Sequence, residues 1–187
     1  MRPRLARRRL PFAAALLAAL GAASCAADPA ADYLFGIGDP VRGAALNAPR
    51  MLGDTAQYAG RPAEAARALV QLEFLADTLA TSPRYAPEVQ PTVLFQLRQA
   101  RAEARGALGI APDAPPEAVI EGLRGAANAL DAGSTARAEA ALSARRVFTL
   151  GPRATLARLG ALPPLPRTRE AAGAVAAELD RLDRLRS

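Results

Sequence analysis

Residues 62–80 read PAEAARALVQLEFLADTLA. Pro62 opens the stretch, and Ala65, Leu69, Leu72, Leu75 and Leu79 follow at spacings of 4, 3, 3 and 4, one face of an α-helix. No Gly or internal Pro interrupts it, so the spacing predicts a helix from Pro62 to about Ala80. Working outward, Pro and Gly punctuate similar runs, with Pro at first helical positions and Gly just past the ends. Upstream, a first helix is expected near Asp39-Pro40, interrupted at Gly43 and restarting at Asn47-Ala48-Pro49 to reach Ala59, with Gly60 as its stop. Downstream, a third runs from about Glu88 to Leu108, with Val93, Leu97, Ala100, Ala104 and Leu108 on one face. Its Pro91 must lie in the first turn, because an interior Pro costs ~3 kcal/mol.

A fourth helix carries Val119, Leu123, Ala126, Ala127 and Leu130 and stops at Gly133. Ser134 caps a fifth, expected to reach Arg146, with Ala138, Ala141 and Leu142 inward. A short sixth carries Leu156 and Leu159. After an extended crossover at Pro163-Pro164-Leu165-Pro166, a last helix spans Arg169 to Arg186, with Ala172, Val175, Leu179 and Leu182 inward. The expected fold class is all-α: six to seven antiparallel helices joined by short loops, as a bundle or an irregular array of helical hairpins.

Composition agrees. Of 187 residues 48 are Ala, 51% are hydrophobic and only 4% aromatic, which disfavours both disorder and an all-β domain. All 24 basic residues are Arg; His, Lys and Trp are absent. The formal charge of +6 is uneven: five Arg lie in the first nine residues, and beyond residue 24 there are 19 Arg against 18 acids. No later run of three basic residues and no aromatic interleaving with Arg supports nucleic-acid binding, so no nucleic-acid partner is expected.

The N-terminus reads as an export signal over residues 1–24. Arg2, Arg4, Arg7, Arg8 and Arg9 form its basic region and Leu10–Leu20 its apolar region, which is shorter than the roughly 20 residues of a transmembrane helix. Gly21-Ala22-Ala23-Ser24 then precede Cys25, the sole cysteine. The motif LGAASCA resembles the lipobox of bacterial lipoproteins, although Ala22 stands where that family usually has Leu. The resemblance implies lipidation at Cys25, attachment to a membrane through that lipid, and, with Ala26 rather than Asp following, the outer membrane as destination. Cleavage by the general signal peptidase after Ala23 or Ala27 is the alternative. Residues 25–38 then form a tether and irregular segment in which Gly36-Ile37-Gly38 is a turn, not a nucleotide loop. Residues 39–187 form a single all-α domain.

Two short stretches resemble tetratricopeptide hairpins: Leu52-Gly53 with Gly60, Ala65 and Leu69, and Gly133 with Ala138 and Leu142. The turn glycines Gly60 and Gly133 are 73 residues apart, which is not a multiple of that family's 34, so ordinary helical hairpins are expected instead of a repeat array.

Chemistry is sparse. Without His or Lys, nucleophile–His and Ser-Lys systems are unavailable. No haem-attachment motif occurs, and one Cys makes neither a zinc cage nor an intrachain disulfide, so no cofactor, metal or haem is expected. Glu73 and Asp77, four apart, share a helix face and can serve as an acid/base pair or hold a hard cation, but lie off the apolar stripe and are expected on a solvated face. Asp180 and Arg184 are an i,i+4 ion pair. Asn47, Arg50, Asp54 and Tyr58, at spacings of 3, 4 and 4, form a polar stripe if Pro49 opens a helix. It is expected to be a polar network or interaction stripe onto which Tyr33–Asp39 folds. The resulting expectation is a non-catalytic, lipid-anchored envelope protein, a scaffold or interaction module with an envelope protein partner. The alternative is an exported small-ligand binder or carboxylate-based enzyme with a cleft between helices.

Overall fold

A computed structural model describes residues 39–186. It contains seven α-helices among these residues and no strand beyond one isolated bridge. The helices are α1 (Pro40–Leu52), α2 (Pro62–Thr81), α3 (Pro91–Leu108), α4 (Pro116–Asp131), α5 (Thr135–Ala141), α6 (Pro152–Leu159) and α7 (Pro166–Arg186). Six of the seven begin with Pro, whose fixed φ suits a first turn that has no donor to lose there.

Four of them close a ring. α1 packs on α2, α2 on α3, α3 on α7 and α7 back on α1. Polar contacts fix the directions: Arg42 near the start of α1 pairs with Asp183 near the end of α7, while Arg169 at the start of α7 donates to the Gly53 carbonyl just past α1. Each neighbour in the ring is antiparallel, as in a four-helix bundle. α4 covers the outer side of α2, antiparallel to it, with Arg67 of α2 paired to Asp131 at the end of α4. α5 and α6 complete this second layer, α5 on α4 and α6 on α2 and α3.

The layering buries α2 on more than one side. Ala65, Leu69, Leu72, Leu75 and Leu79 are buried as the spacing predicts, but so are Ala66, Val70, Glu73 and Ala76 on a second row. A helix enclosed by neighbours is apolar around most of its girdle. Ala on these rows permits close approach: Ala44, Ala45, Ala65, Ala66 and Ala126 have no exposed surface.

Local boundaries differ from expectation in four places, one of them the start of α3, at Pro91 and not near Glu88. α1 runs unbroken through Gly43, which is buried, and through Pro49 in its last turns, where the missing N–H forfeits a single bond. The chain then leaves the helix at Gly53, and Thr55–Tyr58 form a separate 3₁₀ turn capped by Asp54, so no helix continues to Ala59. α5 stops at Ala141 instead of Arg146. Ala111 donates to the Val147 carbonyl and Thr149 to that of Gly109, and this backbone pairing draws residues 147–149 out of the helix. α7 starts at Pro166, three residues earlier than the crossover reading, because Glu103 of α3 caps it there.

Candidate functional site

Charge inside this domain is concentrated at a few named places. The most enclosed is Glu73 of α2 with Arg105 of α3, whose side chains are 4% and 5% exposed. Arg105 Nε donates to Glu73 Oε1 at 2.7 Å and Nη2 to Oε2 at 2.8 Å, a two-pronged pairing suited to the planar guanidinium. Its Nη1 donates to the carbonyls of Pro112 at 2.8 Å and Ala114 at 2.9 Å, in the loop that leads to α4. One side chain thus ties α2, α3 and the entry to α4 together. The expectation that Glu73 lies on a solvated face is overturned: α4 covers that side of α2. Asp77, one turn on, is half-buried and does not join the pair.

Two further carboxylates work across the α3–α7 seam. Glu178 of α7, 4% exposed, accepts the Gln90 N–H at the start of α3 at 2.8 Å, and Nε and Nη2 of Arg181 at 2.9 and 2.7 Å. Hydrogen bonding from Arg181 holds the Glu178 carboxyl below its ordinary range, with the Gln90 N–H adding to the effect and burial opposing it. At the other end, Glu103 of α3 accepts the N–H groups of Arg167 and Thr168 and the Thr168 hydroxyl, at 3.2, 2.9 and 2.9 Å. Each antiparallel helix therefore supplies the N-terminal cap of the other, where unpaired N–H groups and the helix dipole favour a carboxylate.

The anticipated stripe is dispersed. Asn47 bonds the Gly43 carbonyl within its own helix, Arg50 is exposed, and Asp54 accepts from Ala56 to start the 3₁₀ turn. Tyr58 turns inward, 5% exposed, and donates to the Met51 carbonyl at 2.8 Å; burial raises its hydroxyl pKa. The break at Gly53 places these residues on different elements, so they share no helix face. Residues 33–38 and Cys25 lie outside the described residues. Asp39 is described, and its fixing points are elsewhere: it caps α1 through Val41 N–H, accepts from the Tyr85 hydroxyl and pairs with Arg84 at 3.1 Å, on the α2–α3 loop. Asp180 and Arg184 pair as expected.

Recesses open on the surface of the described residues. One of about 500 Å³ lies between α3 and the start of α7 beside the half-exposed Phe95. Another of about 490 Å³ opens at α5–α6 around Arg145, Leu150 and Arg153, and a third of about 360 Å³ lies over Gly122 and Phe148. Among the described residues no group of acids and Cys is arranged to hold a metal, and no helix is long and apolar enough to cross a membrane. Compared with protein-family models, with curated proteins and with solved structures, the chain matches none.

Sequence reasoning missed Arg105, Glu103 and Glu178, whose positions are unremarkable helix-surface positions in the linear chain. The one readable signal was the second row on α2: Ala66, Val70 and Ala76 flank Glu73 with apolar residues, which marks that side as covered.

Proposed function

We propose that the protein is a lipid-anchored component of a bacterial envelope, attached through Cys25, outer membrane favoured, and that it acts by binding a partner and not by catalysis. The observation that carries this reading is the use already made of the buried carboxylates. Glu73 is consumed by Arg105, and Glu178 by Arg181 and the Gln90 N–H. A general acid or base needs a proton-bearing group within reach of a substrate in a recess; these groups face helices. Each of these recesses carries one carboxylate, Glu170, Glu121 or Glu139, with no second acid in its lining to complete an acid/base pair.

The anchor is tested by feeding cells an alkyne-bearing fatty acid and comparing wild type with Cys25→Ser. Wild type is expected to take the label and fractionate with membranes, and Cys25→Ser to lose the label and either leave the membrane or persist as precursor. A Cys25→Ser protein that matures and fractionates like wild type removes the anchor from the reading. The partner is sought by crosslinking the tagged protein in intact cells; a bound small molecule with no protein partner would favour a ligand binder instead.

A further inference from the structure

The near-neutral charge beyond residue 24 conceals a segregation. Between Ala132 and Arg169 lie seven Arg and one acid, Glu139, a local charge of +6; the remainder from residue 25 onward carries twelve Arg and seventeen acids, −5. All seven of those Arg are exposed. They decorate α5, the turn after it, α6 and the first turn of α7. Among the described residues Arg137, Arg145 and Arg146 enter no ion pair, and Arg153 meets only Glu139, at 3.5 Å with its own side chain 88% exposed. Within this basic surface Leu150 is 44% exposed, at the mouth of the 490 Å³ recess that Arg145 and Arg153 also line.

We infer that this α5–α6 lobe is a contact surface for an anionic lipid bilayer. Basic side chains near an anionic surface each add about the same increment of attraction, and an exposed apolar side chain among them gains by entering the headgroup boundary. A single-strand nucleic-acid site stacks bases on exposed aromatics; the one aromatic of the lobe, Phe148, is 1% exposed. The lobe reaches the end of the bundle away from Asp39: Gly160 accepts the Gly60 N–H, and Arg158 donates to the Ala107 carbonyl at the end of α3. Thirteen residues lie between Cys25 and Asp39. Their extended span, up to ~46 Å, exceeds the ~30 Å length of α7. Anchor and lobe can therefore meet one bilayer, although the lobe contact does not depend on the anchor.

The test is co-sedimentation of the full chain with vesicles of phosphatidylglycerol mixed with phosphatidylcholine, against phosphatidylcholine alone. Any attachment through residues 1–24 is common to all variants and cancels in the comparison. Arg145→Glu with Arg146→Glu should weaken binding to the anionic vesicles by about thirtyfold or more, equivalent to ~2 kcal/mol. The charge-matched pair Arg98→Glu with Arg101→Glu on α3 should leave most of it. Leu150→Ser should weaken it severalfold, and wild-type binding should fall steeply with salt. Equal loss from both charge pairs, or none from Arg145 and Arg146, overturns the inference. Salt-sensitive binding of a single-stranded oligonucleotide without preference for phosphatidylglycerol would overturn it in favour of a nucleic acid. Fatty-acid labelling at Cys25 reads the anchor separately, so the two fail independently.

Discussion

Replacing Glu73 by Ala tests the central joint of the fold. The change leaves the buried Arg105 guanidinium stripped of its bonds at 2.7 and 2.8 Å and retaining only the carbonyls of Ala111, Pro112 and Ala114. Breaking a buried pair by removing one partner costs ~3–5 kcal/mol, because the remaining charge is uncompensated. For a domain of about 150 residues each kcal/mol lowers Tm by roughly 2–4 °C, so the loss should be roughly 6–20 °C. Arg105→Ala should cost at least as much, since it strands the carboxylate and the three carbonyls. The double variant Glu73→Leu with Arg105→Met removes both charges and fills the space, so it should be more stable than either single variant. It should still fall short of wild type by ~1–3 kcal/mol, the cost of carbonyls left without a donor. Urea titration followed by helical circular dichroism reads all three, with the slope checked for constancy. A Glu73→Ala cost below ~1 kcal/mol, or a double variant whose loss equals the sum of the singles, would refute the reasoning.

The remaining expectations concern smaller parts of the same frame. Glu178, with its carboxyl pKa depressed mainly by Arg181, stabilises the fold above the ordinary Glu range; that contribution is lost as pH falls through its lowered folded value, so the gap between wild type and Glu178→Gln in thermal melts should close in acid and be full at neutral pH. Glu103→Ala removes the cap of α7 and should cost ~1–2 kcal/mol in chemical unfolding, with a Glu103→Gln loss of similar size counting against the cap. Gly122→Ala would set its Cβ 2.5 Å from Phe148 Cε2 and should destabilise by ~1–3 kcal/mol, whereas Gly106→Ala, in α3 with open space around it, should stabilise by ~0.5–1 kcal/mol. Leu72→Ala and Leu179→Ala, each 1% exposed, should cost ~2–5 kcal/mol, while Arg50→Ala should leave the melt within about 0.5 kcal/mol of wild type.

How much could be read in advance divides along physical lines. α2 to α4 and the inward faces of α7 were legible because periodic apolar residues and Pro starts are local properties of the chain: Val93, Leu97, Ala100, Ala104 and Leu108 are all buried as their spacing predicts. The run from Asn47 to Tyr58 was misread because apolar and polar spacing alone does not reveal a break. Asp54 in an extended conformation, with its own side-chain bond to Ala56, outcompetes helix continuation there. The run after Ala141 was misread because its competitor is remote: residues 109–111 offer backbone partners that no window around 141–149 contains.

By itself the sequence determined the all-α class, the starts of α1, α2 and α5 and the apolar stripes, since these follow from propensity, period and capping within a turn or two of each residue. Only the tertiary structure decided the meaning of the charges. A carboxylate at residue 73, 103 or 178 has the same local signature whether it faces water or a neighbouring helix. The physical reason is that its role is set by desolvation and by partners 32, 65 and 88 residues away, brought within 3 Å by packing. The same packing sets α5 against α6, so that their arginines share one lobe with a single acid, Glu139.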